Sequence, residues 1–518
     1  MDRRRGRTLD LARLIAAALL VACTGSRPSQ GLGVRRAAGG ARSLLATPDG
    51  AWLAYLEHCS ETRAQSLPPG TASCELRVVS SSKGEPALLA SAVTNLPGAV
   101  AASPRGAEIA ALADYDYASA SGVLVRWRAG EPPKPLAKEV TFLGYGPDGA
   151  LGYVAGGQFW LASPGADPAP VPGASAAASF ELAPKGSELL ALVRRRAGAG
   201  GELLAVHRGD QGAKAFPVAG QVGDYRFGAG GRYAFIRLAA GGGELRLAEA
   251  RAASRPEALA RAVRAFAFAP RGGAIAYLAD ASPGKQGDLH VRSGERETVL
   301  GREVGEFRWA AEAPRLAWLE EYDPRVRSGS LGVGGPDLPP RILGKNVSDL
   351  ELSPDGRQVA YLQHSTRGGY SVDLLLSAVD APEQAPRRVA QATYGFGFSP
   401  DGRWLYYRTR CTRDGEGCDL ERIAPGSPEA APERIAEGLK SFEFDPRDPA
   451  RLLLSWKRFD RDALDLAVWE QGGLLKVDTY VQPGSARFLG TAPIRVGYVV
   501  VDEKRAGVYL ASLEGPTR

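Results

Sequence analysis

The chain has 518 residues but a single Met, four His and five Cys. One Met argues against a methionine-based copper site, and histidine is too sparse for an imidazole-rich metal centre. No Gly-x-Ser-x-Gly elbow, phosphate loop or EF-hand loop is present, which removes the usual signatures of serine hydrolases, nucleotide enzymes and calcium sensors. Long apolar runs are missing too: the most pronounced, Leu14 to Ala22, is about nine residues and too short to span a bilayer as a helix. What is abundant is Gly (64) and Pro (37), roughly a fifth of the chain, so a helical bundle is improbable. With 44% hydrophobic and 24% charged residues, the composition is that of a folded chain with material for a large core.

The net charge of +6 points at first to a polyanionic partner. Half of it lies in the first 22 residues, which hold five Arg and two Asp ahead of the apolar run and have the form of a secretory signal. The remaining arginines are scattered, so nucleic-acid binding has no support. The segment ends Leu20-Val21-Ala22-Cys23, which resembles the lipobox of bacterial lipoproteins. That resemblance implies cleavage before Cys23, acylation of Cys23, and an outer-membrane location facing the periplasm, since Thr24 is not the Asp of inner-membrane retention. Residues 23–33 then form a lipidated tether. Without Cys23, the cysteines form two close pairs, Cys59/Cys74 and Cys411/Cys418, expected as disulfides in an oxidising compartment. Neither pair has zinc-ligand spacing, and no metal or cofactor is expected.

One phrase recurs throughout the rest. Thr47-Pro48-Asp49-Gly50, Ser353-Pro354-Asp355-Gly356 and Ser399-Pro400-Asp401-Gly402 are its clearest forms, with further copies at Pro104, Pro147, Pro184, Pro270 and Pro446. An apolar residue two before the Pro and an apolar run about five after it identify three degenerate copies, at Ala229, Ala311 and Thr491. The period is about 44 residues, as in four-stranded propeller blades. Pro at the second position of a tight turn, a Ser or Asp before it and Gly at the fourth make each phrase a hairpin turn, and the flanks alternate with the period of two of β-strands. The copies at Ser353 to Leu362 and Phe398 to Tyr407 resemble the TolB-type propeller family, with its Phe-Ser-Pro-Asp-Gly-Arg-x-Leu-Ala-Tyr consensus. The resemblance covers residues 34–518 and implies an all-β propeller fold; it says little about function.

About eleven repeats exceed the usual size of one ring. Two consecutive propellers are therefore expected, residues 34–262 with about five blades and 263–518 with about six, the alternative being one large ring. The strand near Leu32 to Arg36 can complete a last blade ending at Gly507 to Ala511. The loops between the second and third strands of each blade are the most varied and charged. They hold the candidate binding residues Asp114, Tyr115, Asp116, Tyr117, His364, Tyr370, Arg410 and Arg458, types suited to a protein contact. No catalytic residues are recognised. The function expected is a lipid-anchored, TolB-like scaffold binding another envelope protein. The alternative is a hydrolase or lyase acting on glycans or lactones through carboxylates in the central channel.

Overall fold

The computed structural model describes residues 33–513, apart from 40, 42, 63–66, 83, 176, 184–187, 197–199, 210–211, 229–230, 240–241, 250–254, 281–285, 365–371, 382, 428, 471 and 490–494. Cys23, Tyr370 and most of the fourth turn lie outside the described residues. Every regular element of any length among the described residues is a β-strand, and their pairings are between sequence neighbours except where the two ends of the chain meet and where Gly473–Val481 touches Arg495–Val500 past the short strand Arg487–Leu489. Each repeat is a four-stranded antiparallel blade whose strands, a to d, run from the channel outward. Blade 1 is Ser43–Ala46, Trp52–Glu61, Ala72–Ser80 and Ala87–Thr94.

The turn chemistry is visible atom by atom. Ser353 Oγ donates to Asp355 Oδ1 (2.6 Å) and accepts from Gln358 N (3.0 Å), while Gly356, at φ 69°, donates its N–H to Ser353 O (2.8 Å). Ser399, Asp401 and Gly402 repeat the same pattern. A hydroxyl, a carboxylate and a left-handed Gly thus satisfy the groups a two-strand corner leaves unpaired.

The strand that ends one blade runs on to begin the next. Lys134–Tyr145 pairs with the third strand of blade 2 as far as Val140 and with the second strand of blade 3 from there onward. Gly212–Phe227 and Leu338–Leu352 do the same further along. The crossing is made by a bulged residue in the left-handed region: Glu139, Gln221, Ala262, Glu303, Asn346 and Ala392 all stand eight residues before the next turn position. A bulge adds bend and twist, which carries the chain from the outer edge of one blade to the inner edge of its neighbour.

Among the described residues the core forms eleven separate apolar clusters, each between two successive blades. Ala234, Ile236, Phe266 and Tyr277 join blades 5 and 6 across residues 255–265, where a break between two propellers was expected. Glu257–Val263 is there the outer strand of blade 5. The last cluster joins blade 11 to blade 1 through Leu489, Val499, Val508 and Leu510 against Leu44, Leu53, Tyr55 and Val79. Two closed rings would instead need blade 1 on blade 5 and blade 6 on blade 11, and no core cluster among the described residues has either composition. The packing follows the single cycle of eleven blades. Blade 11 takes its outer strand, Gly33–Gly39, from the opposite end of the chain, paired antiparallel with Gly507–Ser512.

Candidate functional site: two rims and an inner edge

The antiparallel blade has two ends. One carries the Pro-Asp-Gly turns and the c–d turns; the other carries the b–c loops and the d–a crossings. At the second rim a device recurs ten residues past five of the turn positions: His58, Asp114, Asp280, Glu321 and Arg410 are all in the left-handed region, at φ 46–55°. The pairing of strands b and c slips at this point, between Glu57 and Ser60 in blade 1 and between Ala113 and Asp116 in blade 2. In blades 1 and 9 the next residue is Cys, and its partner lies across on strand c. Cys59 bonds Cys74 and Cys411 bonds Cys418, with Cα separations of 4.0 and 3.9 Å. The common register of the two disulfides is therefore the register of the bulge.

The candidate binding residues divide into groups that the sequence does not separate. Asp116 is turned onto its own loop, accepting from Ala118 N (3.0 Å) and Ser119 Oγ (2.6 Å), and Tyr115 and Tyr117 pack edge to face at 5.1 Å. Asp114 and His364 are exposed at strand ends. Arg410 and Arg458 are not free contact groups. Arg410 is held by Asp419 (2.7 Å) and Glu421, and Glu421 also accepts from Tyr407 Oη (2.9 Å). Burial pushes the Asp419 carboxyl up, but the Arg410 hydrogen bond and the Gly438 N–H outweigh it and hold it below the usual range. Arg458 lies 4.0 Å over the Tyr480 ring and bridges Asp460 (3.0 Å) and Asp465 (2.9 Å). Reversing either charge would set like charges together, so these arginines are clamps of the rim. Nearby, Glu416 joins Lys440 (2.7 Å) to Lys457 (3.1 Å) across two blades.

What the clamps present is apolar. Phe459, next to Arg458, is 98% exposed, Val326 on the blade 7 loop 62%, and Tyr394 on the crossing into blade 9 61%. Val501, on the blade 11 loop, is also exposed. Of the other exposed large apolar residues, Leu88, Val299, Ile342 and Leu474 lie on outer strands and Phe142 on the inner strand of blade 3, and none of the described ones lies on a Pro-Asp-Gly turn. Nothing in the composition distinguishes Phe459 from the buried aromatics. Its one signal is position, between two arginines in a loop rather than in the Phe-x-Phe pattern of an inner strand.

In blade 1, His58 Nδ1 lies 3.1 Å from Glu75 Oε2 and 3.7 Å from Glu57 Oε1. These three could hold a cation by distance. Arg77, however, already pairs with both carboxylates, at 3.0 Å from Glu75. Hydrogen bonds from His58 and then Arg77 lower the Glu75 carboxyl, and the group is better described as a closed ion-pair cluster. His58 and His364, though at the same register, belong to blades 1 and 8 and do not meet.

The inner strands present an unpaired backbone edge to the channel, and side chains three residues before the turn position reach across to the next blade to satisfy it. Glu351 accepts from Phe398 N (3.1 Å) and Glu181 from Phe227 N (3.4 Å). Arg308 donates to Leu350 O (2.9 Å) and pairs with Asp349 (3.4 Å). Desolvation raises the carboxyls of Glu351 and Glu181 above their ordinary value, against the opposing backbone hydrogen bonds. The four histidines of the chain all fall on b or c strands. Glu181, Glu351 and Asp349 on the inner edge are thus tied to backbone and arginine.

The raised Glu351 pKa has a testable sign. A carboxyl easier to protonate folded than unfolded costs stability once the pH rises through the window above about 4.5, and costs nothing when protonated. Glu351→Gln keeps an acceptor for Phe398 N–H, so it is expected to be more stable than the parent at pH 7. In urea titrations the difference should close as the pH falls through and below 4.5. A gap that widens on acidification would reverse the assignment. Glu351→Leu, which orphans the N–H, is expected to lose about 1–3 kcal/mol.

No family model matches the chain, and no curated protein does. Among solved structures it is similar to a eukaryotic initiation factor, with a TM-score of 0.43 and 15% identity over 72% of this chain and 96% of that one. It is also similar to the tricorn protease, with a TM-score of 0.29 and 13% identity over 90% of this chain and 52% of that one. TolB from Acinetobacter baumannii follows at 0.26 and 13% identity over 54% and 79%.

Proposed function

We propose that the chain is a protein-binding scaffold of the bacterial envelope, anchored by acylated Cys23, that grips its partner with the b–c rim around blades 7 to 11. The observation that carries the reading is Phe459, a fully presented aromatic on a loop stiffened by the Arg458 clamp. Holding an aromatic in water serves no purpose in packing, and a rigid base lowers the ordering cost of binding. Aromatic anchors surrounded by polar groups are what binding hot spots are made of. The lipobox at Leu20 to Cys23 and the two disulfides suit an exported protein.

The test is a photo-crosslinking side chain at Phe459 in the native envelope, with one at Arg447 on the other rim as control. A discrete partner is expected from Phe459 alone. Phe459→Ser should then weaken that partner by about 2 kcal/mol, roughly thirtyfold in Kd, while leaving the unfolding midpoint within about 0.5 kcal/mol of the parent. Equal capture from both rims, or an unchanged Kd, would remove this rim as the contact surface.

A further inference from the structure

The closing strand fixes which rim the tether leaves from. Gly33 pairs with Ser512 and Gly39 with Gly507. Gly507 opens strand c directly after the b–c loop of blade 11, so Gly39 is at the b–c rim and Gly33 at the Pro-Asp-Gly rim. Two side chains on the strand agree. Arg36 donates to Ala506 O in the b–c loop, whereas Arg35 donates to Ser80 O and Ser81 O (both 3.0 Å), where strand c of blade 1 enters its c–d turn. From Gly33 back to Cys23 there are nine intervening residues, Thr24 to Leu32.

We infer that the ring stands on the membrane with its Pro-Asp-Gly rim toward the lipid and its b–c rim, with Phe459, directed away from it. The inference rests on the anchoring of Cys23 proposed above and deepens it by assigning the rim that a partner in the periplasm meets. The lengths decide the matter. Nine residues reach about 30 Å fully extended, and a flexible chain of that length spans on average about 17 Å. The seven-residue strand Gly33–Gly39 is itself about 23 Å long. Turning the b–c rim to the membrane would draw the tether back along the outside of blade 11, nearly taut, at a large entropic cost. The exit also lies on the outermost strand, so tilting the ring about it moves the far blades away from the surface rather than inverting them. The two rims differ in a compatible way. The Pro-Asp-Gly turns are polar and of mixed charge: Arg105, Arg271, Arg357, Arg403 and Arg447 are exposed there beside exposed Asp49, Glu312, Asp355 and Asp401, with Arg271, Arg357 and Arg403 paired to Glu312, Asp355 and Asp401 at 3.5–3.8 Å, a surface that a zwitterionic headgroup layer can meet. Among the described residues the exposed apolar loop tips, Val326, Tyr394, Phe459 and Val501, are on the opposite side.

The experiment uses the full-length lipidated protein on phosphatidylethanolamine and phosphatidylglycerol vesicles doped with a nitroxide-headgroup lipid. A single fluorescent side chain is placed either at Arg447 or at Phe459, opposite ends of blade 10. Quenching several-fold stronger at Arg447 than at Phe459 is expected. Protein that floats with the vesicles but is quenched equally at the two positions, or more at Phe459, overturns the orientation and leaves the anchor standing. Protein that does not float, or floats unchanged as Cys23→Ser, overturns the anchor and the orientation with it.

Discussion

Removing residues 33–39 is expected to abolish the cooperative native ring. The deletion takes away the whole outer strand of blade 11, leaving Gly507–Ser512 as a bare edge. It also withdraws Ala37 and Ala38 from the blade 11 to blade 1 cluster and removes the Arg35 bonds to Ser80 O and Ser81 O. An unpaired edge strand costs its ladder hydrogen bonds and invites pairing with other chains. The loss expected is upward of about 5 kcal/mol, which is comparable with the whole stability of many domains. The measure is the urea midpoint together with the elution volume. A monomeric variant with an unchanged midpoint would show that the ring does not depend on its closing strand. A milder change in the same interface, Leu510→Ala, keeps the strand and is expected to cost about 2–5 kcal/mol.

The second large effect is expected at Trp318. This indole is fully buried in strand b of blade 7, and it occupies space that two glycines leave for it. A Cβ on Gly332 of the neighbouring strand would run into its Cε2, and one on Gly301, on the outer strand of blade 6, into its Nε1. The indole N–H is satisfied by Glu320 at 3.1 Å. Trp318→Ala is therefore expected to destabilise by about 3–5 kcal/mol, with the cavity and the orphaned Glu320 adding to the lost burial. Gly332→Ala should also destabilise, because the indole has no room to retreat within a close-packed interface. The pair gives a discriminating result in thermal unfolding. If the cost of Gly332→Ala shrinks in a Trp318→Leu background, the steric account holds; if the two effects simply add, it fails.

The blade is legible in the sequence because its determinants are local. Ser353, Pro354, Asp355 and Gly356 meet one another within a single turn, and the strands on either side alternate with a period that requires no partner to recognise. The disulfide pairs are legible for the same reason, lying 15 and 7 residues apart across one loop. The number of rings is not local. It depends on whether blade 5 turns its outer face to blade 6 or to blade 1, and Ala234 and Ile236 would read the same in either setting. The ion pairs of the b–c rim are not local either. Arg410 and Arg458 have the charge of contact residues, but Asp419, Glu421, Asp465 and Tyr480, which engage them, come from the next strands across. The inner-edge bonds of Glu181 and Glu351 were illegible because their partners are backbone N–H groups 46 and 47 residues away.

The cyclic order of the interfaces shapes how the chain must assemble. Ten of the eleven clusters join blades that are adjacent in sequence, so an arc can lengthen blade by blade with little loop-closure entropy at each step. The eleventh is different in kind, since Gly33–Gly39 must find Gly507–Ser512 across more than 400 residues. Ring closure is then the slow, high-contact-order event, and it comes only after the last blade exists. Until it occurs, the arc carries a free strand at one end and its vacant berth at the other, complementary surfaces that a neighbouring chain at high concentration can satisfy equally well. The same seven residues that lock the monomer thus make domain-swapped chains its characteristic route to misassembly.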